Sequence, residues 1–89
     1  MQPSDPRILF GKRLATLRHE RGLSQETLSH VSGLARSYLG EVERGHRNIA
    51  LLNICRLAEA LNVPASKLLE FSENDPRCLP GAKSVTSRP

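Results

Sequence analysis

Apolar residues recur along this chain at helical spacing, in short blocks punctuated by glycine. Phe10, Leu14 and Leu17 fall at i, i+4 and i+7, one stripe of a first helix. Lys12, Arg13 and His19 lie largely off that stripe. Asp5-Pro6 opens the helix: Asp is a good N-cap, and Pro suits a first position whose N–H would be unpaired anyway. Gly22 is placed to end it. Ser24 starts a second helix, with Glu26 complementing the dipole in its first turn. Leu28 and Ser32 are expected to face inward there, and Gly33 to stop the helix. A third short helix spans Arg36 to Arg44, with Leu39 and Val42 on its apolar edge, Leu34 just ahead and Gly45 behind. His46 to Ala50 reads as a loop. A fourth helix runs from Leu51 to Leu61, placing Leu51, Ile54, Ala58 and Leu61 at core spacing with Leu57 beside them. Asn62-Val63-Pro64 is a break, and a last helix from Ala65 to Phe71 turns Leu68 and Leu69 inward.

Beyond Phe71 the pattern ends. SENDPRCLPGAKSVTSRP has Pro, Gly and no periodicity, so residues 72–89 are expected to form a flexible, disordered tail. The 89 residues then fit one all-α domain, residues 1–71. Aromatics are scarce, only Phe10, Tyr38 and Phe71, which suits a core of Leu, Ile, Val and Ala in packed helices. Cys55 and Cys78 are far apart and belong to no Cys/His cluster, so neither a disulfide framework nor a metal site is expected. Cys55, next to Ile54 and near Leu57, reads as a small core or interface hydrophobe.

A formal net charge of +4 suits a polyanionic partner without naming one. No apolar run approaches a membrane span, and MQPSDPRILF lacks the basic and apolar regions of a secretory signal; a cytoplasmic location without membrane contact is expected. No Gly-rich phosphate loop is present, and His19, His30 and His46 are scattered on polar faces, so no catalytic residue and no cofactor is expected.

The second helix, the Gly33 turn and the third helix, residues 24–44, form the informative unit. Gly tolerates the positive φ of a sharp turn between helices, and such a unit can present the start of its second helix to a DNA major groove. The segment GLSQETLSHVSGLARSYLGEVERGHRNIALLNICRLAEALNVPASKLL carries further landmarks: Leu23-Ser24-Gln25, Leu28, Gly33-Leu34, Tyr38-Leu39, Val42-Glu43-Arg44-Gly45, Asn48 and Leu57-Ala58-x-x-Leu61. In these it resembles the lambda-repressor-like, Xre-type helix-turn-helix domain, a compact five-helix fold. Within that family RSYLGEVERGHRN is most similar to the controller proteins of restriction–modification systems. The resemblance implies a sequence-specific transcription regulator, with, as the alternative, a phage- or plasmid-type repressor or an antitoxin whose helix-turn-helix domain also or instead binds a protein partner.

The resemblance also implies residue roles. Arg36 and Ser37 stand where the family reads base edges, and an arginine can grip guanine O6 and N7 for roughly 1–3 kcal/mol of discrimination. Glu41 could accept from a cytosine amino group, and Ala35, at an N-cap position often held by a capping residue, could offer its methyl to thymine. Ala50 likewise stands where a capping Ser is common. Gly40 would let the duplex approach closely. Gln25, Tyr38, Arg44, His46, Arg47 and Asn48 are the expected phosphate contacts. Arg18 and Glu43 are the expected structural ion pair, fixing the third helix to the first.

One module reads few base pairs, whereas a two-fold dimer sets two reading helices about 34 Å apart, one turn of DNA. A homodimer on a palindromic double-stranded operator is therefore expected. Leu52, Asn53, Arg56, Val63, Leu69 and Phe71 are the interface candidates. RNA polymerase is a further candidate partner.

Overall fold

A computed structural model describes residues 5–71, and every described element is helical. The order is α1 (Pro6–Glu20), α2 (Gln25–Ser32), α3 (Arg36–Glu43), α4 (Leu51–Leu61) and α5 (Ala65–Leu68). The expected tail, with Cys78, lies outside the described residues.

The helix ends follow from local chemistry. The Asp5 carboxylate accepts the Arg7 backbone N–H at 2.9 Å, and Pro6 occupies the first helical position of α1. Ser24 Oγ accepts the Thr27 N–H at 3.0 Å at the start of α2. Gly33 then closes α2 at φ +78°, a conformation costly for a residue with a Cβ. Ala35 and Ala50 head α3 and α4 with no side-chain bond to the helix ends.

Burial comes next. Leu14, Leu28, Leu39, Val42, Leu57, Leu61 and Leu68 are almost wholly removed from water, with Phe10, Leu17, Leu34, Ile54 and Ala58 around them. They come from all five helices and the turn before α3, so the turn unit cannot shift without opening the core. Three expectations fail. Leu51 is 69% exposed: it is the first residue of α4, ahead of the turn that packs on α2. Leu69 is 48% exposed, because α5 ends at Leu68 and the chain turns away. Cys55 is an exposed free thiol one residue off the buried stripe of α4, so its core reading does not hold.

Gly11 carries a role that periodicity did not reveal. It is buried inside α1, and a methyl built there would lie 2.5 Å from the carbonyl oxygens of Val42 and Glu43. Only a residue without a Cβ lets α1 press against the end of α3. Gly45 repeats the device two residues past the end of α3: at φ +81°, a Cβ would meet Ile8 Cγ1 at 2.7 Å. No helix among the described residues is long and apolar enough to cross a membrane.

Candidate nucleic-acid interface

The turn between α2 and α3 is held by side chains as well as by Gly33. Ser29 Oγ donates to the Leu34 carbonyl, and Ser32 Oγ accepts the Leu34 N–H at 3.3 Å. Leu34 drops into the core behind them. With the turn fixed, α3 emerges so that Ala35, Arg36 and Ser37 are all exposed at its tip, and Leu39 and Val42 face inward.

The far end of α3 is clamped. Arg18 Nε and Nη2 donate to Glu43 Oε2 and Oε1 at 2.7 and 3.0 Å, a fork-on-fork contact. Both side chains are more than nine-tenths shielded from water. Arg18 Nη1 also donates to the Leu23 carbonyl at 2.8 Å, and Gln25 Nε2 donates to Glu43 Oε1 at 2.9 Å. One carboxylate thus joins α1, α2 and α3, and its lone pairs are well used. Gln25, expected at a phosphate, gives an amide N–H to this network. Gly40, expected to admit the duplex, is overlaid by its own neighbours: an added methyl would stand 3.4 Å from Arg44 Nη1 and 3.7 Å from Gln25 Oε1.

The outer edge holds a second network. Arg47 Nε donates to Glu41 Oε1 at 2.7 Å, and its guanidinium sits 5.2 Å from the centre of the Tyr38 ring. Asn53 Nδ2 donates to the Tyr38 hydroxyl at 3.2 Å. Glu41, expected to reach a base, therefore holds Arg47 in this structure. Arg36, Arg44, His46 and Asn48 are exposed beside it. The result is an exposed basic ridge carrying Arg36, Arg44 and Arg47. Both carboxylates of α3, the part-exposed Glu41 and the shielded Glu43, are engaged by arginines.

The expected dimer residues separate by position. Leu52 is 75% exposed, and Arg56 and Leu69 are exposed as well. With Leu51 and Cys55 they leave a largely apolar outer face on and beside α4. Val63 and Phe71 instead pack partly against the chain's own core, and Asn53 is half-buried under Tyr38. Among the described residues, no group of three His, Cys, Asp or Glu side chains could hold a metal ion.

A short helix clamped at its base, with an arginine at its free tip and a glycine turn before it, defines a helix-turn-helix protein. Residues 14–68 match the family model described as helix-turn-helix, and the chain belongs to that family. It is 42% identical over 65 residues to the control protein C.SmaI of Serratia marcescens, covering 73% of this chain and 77% of that protein. The crystal structure of the restriction–modification controller protein C.AhdI from Aeromonas hydrophila superposes with a TM-score of 0.69 at 55% identity. That match covers 70% of this chain and 94% of the other. SinR, a master regulator for biofilm formation solved in complex with DNA, aligns at TM-score 0.66 and 31% identity, over 68% and 98% of the two chains. The chain is a helix-turn-helix transcription regulator homologous to restriction–modification controller proteins.

Proposed function

We propose that this regulator binds a palindromic DNA operator as a homodimer and controls genes of a restriction–modification system. The observation that carries the reading is the exposed tip of α3, where Arg36 and Ser37 stand free on a helix whose other end is locked by Glu43. A guanidinium on a fixed stem can make the two-bond contact to guanine that distinguishes it from the other bases. Ser37 reaches an adjacent base or phosphate, and the Ala35 methyl suits a thymine. Arg44, His46, Arg47 and Asn48 line the ridge beside the tip, where phosphates would pass; Tyr38 carries Arg47 there. Gln25 supports them through Glu43.

Dimerisation rests on the outer face of α4. Leu51, Leu52, Cys55 and Leu69 expose apolar surface that a soluble monomer would ordinarily cover, and Arg56 borders them. Val63 and Phe71 brace that face from below. Such a dimer repeats one tip on each side of a two-fold axis. The compartment in keeping with this role is the cytoplasm, and RNA polymerase is the protein partner through which an operator-bound dimer would act on transcription.

Selection of bound sequences from random DNA tests the reading. A palindrome with half-sites about one helical turn apart is expected. Recovery of no common sequence, or binding without a falling log–log dependence on salt, overturns it. Leu52→Glu should shift the dimer to monomer in sedimentation and weaken operator binding in step.

A further inference from the structure

The Glu41–Arg47 pair stands at the edge of the proposed DNA surface, and neither residue is buried: their side chains are 42% and 51% exposed. An ion pair that wet contributes little to the stability of the fold. Arg47 is nevertheless held in one place by two contacts, the 2.7 Å bond to Glu41 and the face of the Tyr38 ring. Tyr38 is in turn held by Asn53 at 3.2 Å. Glu41 stands five residues after Arg36 on α3, about 140° further round the helix, and both lie off the buried Leu39–Val42 side. A carboxylate in that place opposes every approaching phosphate and at the same time occupies the arginine best placed to receive one.

We infer that Glu41 is a specificity-determining residue that acts through Arg47, holding it from phosphates until the recognition helix is fully seated. This rests on the proposed DNA-binding reading. On a random sequence the duplex is held loosely, Arg47 stays with Glu41, and one counterion-releasing contact is withheld. On the operator, seating of Arg36 brings a phosphate close enough to displace the carboxylate, and Arg47 is transferred to it. Because the pair is weak, its exchange costs the specific complex little. Loose complexes lose a phosphate contact and face an uncompensated negative charge. The carboxylate therefore lowers affinity for wrong DNA more than for right DNA, which is how repulsion creates selectivity.

The test is a cycle of Glu41→Gln, Arg47→Gln and the double variant, each assayed on operator and random duplex across a salt series. Wild type must first show operator preference and a negative salt slope; without them the DNA reading fails, independently of Glu41. Given that preference, Glu41→Gln should tighten binding to random duplex about fivefold and steepen its salt slope by about one, with operator affinity changed less than twofold. In the Arg47→Gln background the same substitution should give much less. An equal gain in both backgrounds means simple charge removal and overturns the role of the pair. A tenfold loss on operator, confined to one base position, also overturns it and makes Glu41 a direct reader. Unchanged thermal melting of each variant excludes a folding cause.

Discussion

Arg18 of α1 and Glu43 at the end of α3 face each other through two hydrogen bonds of 2.7 and 3.0 Å, with almost no water around either. The pair fixes the direction of α3. Its net worth against an apolar replacement is small, but leaving one charge alone in that place is costly. Arg18→Ala or Glu43→Ala should each lower unfolding free energy by about 3–5 kcal/mol, and the double variant by less than the sum. Urea titration of the four proteins checks this. Additive losses would show that the two side chains act separately.

Arg36 and Arg47 should part company on DNA. Arg36→Ala is expected to cost roughly 1–3 kcal/mol on operator and to relax preference at one base pair of each half-site. Arg47→Ala should weaken operator binding by the same factor whatever base stands at each position and flatten the operator's salt slope by about one, while random duplex, from which Glu41 withholds Arg47, changes little. Binding isotherms on single-base operator variants separate the two outcomes. Equal losses on every sequence for Arg36→Ala would remove it from the reading role.

Gly11→Ala should destabilise the fold by roughly 1–3 kcal/mol, the usual range for forcing an extra methyl into a packed site. The obstacle is backbone, the Val42 and Glu43 carbonyls at 2.5 Å, so α1 and α3 must separate. Gly40→Ala should do the opposite. It meets only the ends of Arg44 and Gln25, and replacing a helical glycine gains roughly 0.5–1 kcal/mol. Melting curves read both signs. A neutral Gly11→Ala would mean the two helices are not held at this distance.

Asp5 makes α1 sensitive to acid. Its bonds to the Arg7 side chain, and then to the Arg7 backbone N–H, pull its carboxyl down from 3.8 to about 2. The folded state thus holds the ionised form more firmly than the unfolded chain does. The contribution is complete above the unfolded value and disappears as pH falls from there toward 2. Asn also caps a helix but does not ionise, so the wild-type advantage over Asp5→Asn at neutral pH should shrink on that descent. Urea midpoints measured across that range give the comparison, and a constant gap would show that the carboxyl charge is irrelevant.

Most of the scaffold was legible because α1 and α2 announce their own ends. Asp5-Pro6, Ser24, Gly22 and Gly33 state their roles through local hydrogen bonding and φ, and Leu14, Leu28, Leu39 and Leu57 repeat on helical faces. What was not legible depends on partners distant in sequence. Gly11 drew no expectation from the periodicity, though a glycine inside a helical pattern costs about 1 kcal/mol against alanine and so points to a packing reason. Gln25 and Glu41 have the chemistry of DNA contacts, yet Glu43 and Arg47 are nearer and opposite in polarity. Leu51 and Leu69 satisfied the helical period but stand at helix ends, where the period no longer reports which way a side chain points. Ser32 was expected to face inward, but nothing local showed that it and Ser29 would bind both sides of the Leu34 backbone.

Ala35 and Ala50 leave the starts of α3 and α4 without a side chain to satisfy their amides. Anyone seeking a heat-resistant version would begin there, since a serine at such a place commonly adds about 1 kcal/mol. At Ala50 that improvement should come free of side effects. At Ala35 it would place a hydroxyl beside Arg36, the arginine we propose reads the target, setting durability against selectivity within a single residue.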